Sequence, residues 1–316
     1  MNVVFMGTPE FAVPSLKCLS ESKHNILAVI TQTDKPKGRK GKPCASPVKG
    51  VAVDAGFHVI QPDNVNDDLT IEKLKELNPD VIVVVAFGQK ISSEILNLPK
   101  YRCVNVHASL LPKYRGAAPV NWAVINGEEE TGITAIIMSE KMDAGVMIIQ
   151  KSLTIGPDET AGELEYRLSR LGAETLLESL TQIETGSVEY TQQDEGLVSL
   201  APKIKKEDGL IDWNQDEKKI HDFVRGMNPR PSAYTSLIRN NSKERVIILK
   251  TERDDSLNNG TVNAPGTITD ISNRGIKTAT SNGSIWIKEV KPEGKRTMSA
   301  AAFSRGHDLK VNYLFQ

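Results

Sequence analysis

The chain lacks the usual marks of a secreted, membrane-bound or cofactor-carrying protein. Its three cysteines, Cys18, Cys44 and Cys103, are odd in number and show no C-x-x-C spacing. That excludes a disulfide framework or a zinc ribbon and points to a reducing compartment. No other His, Cys or Asp spacing suggests a metal. No apolar run approaches the ~20 residues that would cross a bilayer. The opening Met-Asn-Val-Val-Phe-Met-Gly has no basic region or small-residue cleavage site, so it reads as a first strand and the expected location is cytoplasmic. G-x-G-x-x-G is absent: Gly7 is followed by Pro9, a poor dinucleotide fingerprint, and NAD is rejected. A net charge of −1 argues against a wholly basic nucleic-acid binder. There is no internal repeat.

What is present suits an ordinary soluble protein. At 316 residues, with 39% apolar and 25% charged side chains, two domains with real cores are expected. Asn2–Met6 reads as a strand, followed by helical spacing through Phe11, Leu16 and Leu19. Ile26–Thr31 and His58–Ile60 read as strands, Pro47–Ala55 and Asp68–Leu77 as helices. Val81–Ala86 is apolar throughout, as in a strand covered on both faces. This alternation predicts a Rossmann-like, mostly parallel α/β domain over residues 1–188, closed by an amphipathic helix at Ala161–Ile183. Residues 189–206 lack a helical period and read as a linker. From 207 to 316, short β-type runs separated by Gly and Asn turns predict a smaller β-barrel domain.

One stretch concentrates chemistry. In V-N-V-H-A-S-L-L-P-K-Y-R-G-A-A-P (residues 104–119), Asn105, His107 and Ser109 alternate, so an extended chain turns all three to one side. A donor amide beside an imidazole at a strand end suits acyl-type transfer. Pro112 then takes the chain out of the sheet. Ligands of parallel sheets bind beyond the carboxyl ends of the strands, so Phe87 and Gly88, after Val81–Ala86, belong beside this segment if the strands are neighbours. Met142-Asp143-Ala144-Gly145 reads as a turn between two β-rich runs. Upstream, D-K-P-K-G-R-K-G-K-P is too rich in Pro, Gly and Lys to form a regular element. It reads as a solvated loop, or as an arm whose cations neutralise phosphates without reading bases.

N-x-H-x-S-L-L-P followed by R-G-A-A-P and Asp143 resembles the signature of the folate-dependent formyltransferases, and the likeness extends to K-I-x-K-E-x-x-x-I-D-W (residues 203–213) and N-P-x-P (residues 228–231). The resemblance implies transfer of the formyl group of 10-formyltetrahydrofolate to the amino group of initiator methionyl-tRNA, by direct transfer with no covalent intermediate. It implies Asn105, His107 and Asp143 as catalytic residues, with Asp143 fixing the imidazole tautomer and stabilising its cation. It also implies a folate pocket shaped by Ser109, Leu110, Leu111 and Pro112 with Phe87 and Gly88. The C-terminal barrel is expected to be OB-like and tRNA-binding, the chain a monomer, and Lys35, Lys37, Arg39, Lys40 and Lys42 a basic loop for the tRNA acceptor arm. Three alternatives stay open on sequence alone: a formyltransferase acting on glycinamide ribonucleotide or on a nucleotide sugar, a hydrolytic relative, and a non-catalytic RNA-binding protein.

Overall fold

Residues Val81–Val85 are apolar at every position and all are buried, which fixes this strand at the middle of a sheet with cover on both faces. The computed structural model describes residues 1–37, 41–239, 242–254 and 263–316. Within it, seven strands form one sheet in the order Met147–Thr154, Glu130–Ile137, Cys103–His107, Val81–Val85, Asn2–Gly7, Asn25–Ile30, Val59–Ile60. Neighbours run parallel except at Glu130–Ile137, which is antiparallel to both of its partners. Val84 lies beside Asn105, so the two segments expected to be adjacent leave the sheet at the same edge.

Local chemistry sets the helix ends. Asp67 accepts from the Thr70 N–H and starts the helix Asp68–Leu77, which stops at Asn78 in the left-handed region. Ser46 caps Pro47–Asp54 in the same way, with Pro at the first position.

The basic stretch departs from expectation. It begins and ends in a short antiparallel pair, Lys35–Lys37 with Lys42–Cys44. Pro36 faces Pro43, at a position whose N–H groups the ladder does not use, so neither proline removes a bond. Asp34, at the base, accepts from Lys49 and Gln61. Those contacts, Gln61 first, hold its carboxyl below the usual range.

The chain divides into two units. One comprises Met1–Pro119, Glu130–Thr154 and Glu165–Pro202, and the other Val120–Glu129, Ile155–Leu164 and Lys203–Gln316. In the second, Ala233–Arg239, Ser242–Arg253, Ser284–Pro292, Gly275–Ala279 and Ile268–Ser272 form an antiparallel sheet in that order. Its two edges are joined by the last residues of the chain. Ser236 and Gln316 exchange N–H···O bonds of 2.7 and 2.8 Å, while Phe315 donates to Gly266 and Ile268 to Tyr313. Pairing both edges closes the sheet into a barrel and removes its open edges. Phe315 is buried in that core and stacks on Trp213, whose Nε1 donates to Thr235.

Candidate active site

His107 is the last residue of its strand, and Asn105 and His107 share a face of it by alternation. The imidazole is buried, with Nε2 2.9 Å from the Tyr114 carbonyl oxygen. A carbonyl oxygen only accepts, so Nε2 carries a hydrogen. Nδ1 lies 3.6 Å from Asp143 Oδ1, in ion-pair range but beyond hydrogen-bond length. Tyr114 thus holds the Nε2 hydrogen, and Asp143 faces the other ring nitrogen. Among the described residues, the Asn105 side-chain amide makes no hydrogen bond, and the residue is half-buried.

The S-L-L-P segment is held by a hydroxyl on the neighbouring strand. Thr134, fully buried, sits opposite His107 in the antiparallel register. Its Oγ1 donates to the Ser109 carbonyl at 2.6 Å and accepts from the Leu111 N–H at 3.1 Å. Gln150 Nε2 donates both to that oxygen and to the Leu111 carbonyl. Ser109 Oγ is itself occupied, donating to the Lys113 carbonyl, so the hydroxyl shapes a turn instead of facing a substrate. Leu111 is buried, Leu110 and Pro112 on either side of it are half-buried, and the Leu111–Pro112 bond is cis.

Asp143 occupies a left-handed backbone position, φ 50°. Its Oδ2 accepts from the Gly116 N–H at 2.9 Å. Gly116 has φ 131°, and a Cβ there would run into the Ala201 carbonyl, so the R-G step needs glycine. Residues 189–202, without helical period, fold along this loop: Leu200 and Ala201 pair in parallel with Arg115 and Gly116, and Thr191 pairs with Met147.

Phe87 and Gly88 follow the strand Val81–Val85, beside the strand that ends at His107. The Phe87 side chain is 2% exposed and packed in the core with Met6 and Ile30. Its carbonyl accepts from Thr8 Oγ1 and Gln32 Nε2, and Gly88 beside it is exposed. Gly88 has φ 86°, and a Cβ there would meet the Gln32 amide. Lys35, Lys37 and Lys42 lie on the short basic pair of strands, whereas Arg39 and Lys40 lie outside the described residues. Cys103, two residues before Asn105, is no nucleophile: burial pushes its thiol up to about 12. Among the described residues, no group of three His, Cys, Asp or Glu is placed to hold a metal. Nor is any helix there long and apolar enough to cross a membrane. Thr134, Gln150, Gln193 and Arg115 escaped the reading of the sequence. Only Arg115 lay in a recognisable motif, and the others reach the site from distant, individually featureless positions.

A parallel-sheet edge carrying a His–Asp pair and an uncommitted amide, followed in the chain by a closed antiparallel barrel, defines a transferase of the formyl class. Residues 1–180 match the formyl transferase family and residues 203–308 match the formyl transferase C-terminal domain, and the chain belongs to this family. Its full-length relatives are methionyl-tRNA formyltransferases. That of Geobacter metallireducens is 44% identical over 98% of this chain and 97% of its own. That of Citrifermentans bemidjiense is 46% identical over 98% and 95%, and that of Clostridioides difficile 44% over 98% of each. Among solved structures, the sugar 3N-formyl transferase WlaRD superposes with a TM-score of 0.67 at 21% identity, covering 94% of this chain and 99% of that one. HypX from Aquifex aeolicus, solved with tetrahydrofolic acid, gives 0.65 at 19% identity over 99% of this chain and 50% of its own. These two share the fold.

Proposed function

We propose that the chain transfers the formyl group of 10-formyltetrahydrofolate to the α-amino group of initiator methionyl-tRNA, giving N-formylmethionyl-tRNA. The observation that carries this reading is His107 held between Tyr114 and Asp143 at the sheet edge, on the strand that also presents the Asn105 amide. The names of the full-length relatives supply the acceptor.

The amine nitrogen bonds to the formyl carbon while the bond from that carbon to the folate nitrogen breaks. The amine loses a proton and the folate nitrogen gains one. Negative charge gathers on the formyl oxygen as the carbon becomes tetrahedral. The Asn105 amide N–H is the donor for that oxygen, a contribution on the order of 3 kcal/mol when preorganised. The His107–Asp143 pair beside it takes part in the proton exchange. Thr134 and Gln150 shape the Ser109–Pro112 wall for the folate, and Phe87 and Gly88 complete the pocket.

Residues 1–188 act as the catalytic domain and residues 207–316 as a tRNA-binding domain. The basic strands around Lys35, Lys37 and Lys42, with Arg39 and Lys40, engage the acceptor-arm phosphates. The protein works as a monomer in the cytoplasm. The test is formyl transfer from 10-formyltetrahydrofolate to charged initiator methionyl-tRNA, with uncharged tRNA, glycinamide ribonucleotide and an amino-sugar nucleotide as controls. Product in the first reaction alone is expected. Product with either small acceptor and none with the tRNA would overturn the assignment, and formate release without transfer would make the protein a hydrolase.

A further inference from the structure

Asp143 lies on a four-residue turn, and nothing on the turn itself holds its carboxylate against His107. The carboxylate is held by the Gly116 N–H, and the turn that carries it is held from residues 189–202. Gln193 Nε2 donates to the Asp143 carbonyl at 2.7 Å and to the Gly145 carbonyl at 2.8 Å, spanning the turn from end to end. On the other side, Gln193 Oε1 accepts from Arg115 Nε at 3.0 Å and Nη2 at 2.8 Å. Two acceptors on one side and two guanidinium donors on the other leave the amide one orientation that satisfies all four bonds.

Arg115 is 4% exposed, so its charge has been taken out of water and must be matched. Its Nη2 also donates to Glu195 Oε1 at 2.8 Å, and Lys141 closes on the other oxygen of that carboxylate at 2.9 Å. Lys141 stands two residues before Asp143, so the same carboxylate ties both ends of the assembly: the arginine that orients Gln193 and the start of the turn that Gln193 spans. The backbone neighbour of Arg115, Gly116, gives its N–H to Asp143 Oδ2. The R-G step thus reaches Asp143 twice, directly through Gly116 and indirectly through Arg115 and Gln193. Residues 181–202 lie between the two stretches that match the family, which end at 180 and resume at 203.

We propose that Gln193, oriented by Arg115 and Glu195, is a positioning residue for formyl transfer, aiming Asp143 at His107. Residues 189–202 are then part of the catalytic apparatus and more than a connection between units. The inference rests on the catalytic assignment of Asp143 given above.

The predicted consequence is a loss in turnover without a loss in binding. A turn that shifts by a fraction of an ångström moves a carboxylate already 3.6 Å from its ring. Displacements of about 1 Å cost up to about a hundredfold in rate. Gln193→Ala should lower kcat by roughly tenfold to a hundredfold and leave KM for the folate and for methionyl-tRNA within about twofold. Gln193→Glu keeps the size and the Arg115 contact but presents oxygen to the Asp143 and Gly145 carbonyls, and should lose as much. The decisive experiment is a double-mutant cycle on single-turnover formyl transfer with Gln193→Ala, Asp143→Asn and the pair, each checked for an unchanged unfolding midpoint. Because Gln193 acts through Asp143, the pair should be no slower than Asp143→Asn alone. Additive losses, or a Gln193→Ala kcat at the wild-type level beside a crippled Asp143→Asn, would overturn the positioning role. An active Asp143→Asn would instead overturn the catalytic reading on which it rests.

Discussion

Thr134→Val removes one oxygen and keeps the shape, so its effect can be worked out from the bonds that oxygen makes. In the folded protein it donates to the Ser109 carbonyl, accepts from the Leu111 N–H, and accepts from Gln150 Nε2. Gln150 retains the Leu111 carbonyl as a partner. The Ser109 carbonyl and the Leu111 N–H lose theirs in a site where Thr134 is wholly buried. Each stranded buried group costs about 1–3 kcal/mol, so the substitution should destabilise by roughly 2–6 kcal/mol, out of a total of about 5–15 kcal/mol for a domain. Since the two groups belong to the S-L-L-P segment, that cost falls on the proposed folate wall. Urea unfolding gives the stability change, and calorimetric titration with a reduced folate gives the affinity. We expect a lower midpoint with the slope unchanged, and weaker folate binding at a temperature where the variant is still folded. A loss below about 0.5 kcal/mol, the range of an ordinary surface substitution, with wild-type folate affinity would refute the argument.

His221 gives a pH prediction with a definite sign. Burial pushes its imidazole below the ordinary range, opposed in part by the Pro157 carbonyl and Asp158. The unfolded chain therefore takes up the proton first as pH falls. The stabilising contribution is present above the ordinary value of about 6.5 and is lost as pH drops below it. The thermal midpoint should fall from pH 7 to pH 5 more steeply in the wild type than in His221→Gln, and equal slopes would contradict this. Neutralising Lys37, Arg39 and Lys40 together should weaken methionyl-tRNA binding and reduce the slope of log affinity against log salt by up to about 3, while folate affinity stays constant. An unchanged slope, read by filter binding across a salt series, would remove the basic strands from the tRNA contact.

The parts legible in the sequence are those whose causes are local. Asp68–Leu77 carries its own start and stop in Asp67 and Asn78, and the run Val81–Val85 declares its double cover by apolarity alone. The alternation of Asn105 with His107 likewise needed only the geometry of a strand. The basic stretch was harder to read, because whether a proline breaks a ladder depends on which cross-strand position it occupies, and register is a property of two segments. Residues 189–202 were opaque for a related reason. Their partners are distant in the chain, at Arg115–Gly116, at Met147 and at the Asp143 and Gly145 carbonyls, so no period or motif within them reports the pairing. The closure of the barrel by Tyr313–Gln316 is also made through the backbone, and only buried Phe315 leaves a trace in the composition.

The role of the Asn105 amide is the centre of this account, and Asn105→Ala tests it most directly. The measurement is the single-turnover rate of formyl transfer with folate and methionyl-tRNA both saturating, on protein shown to unfold at the wild-type midpoint. Removing a preorganised oxyanion donor should slow the reaction by about 10²–10³ while leaving both affinities in place. A rate within about twofold of wild type would mean that the formyl oxygen is stabilised by some other group, and that this strand end is a scaffold and not the site of the chemistry.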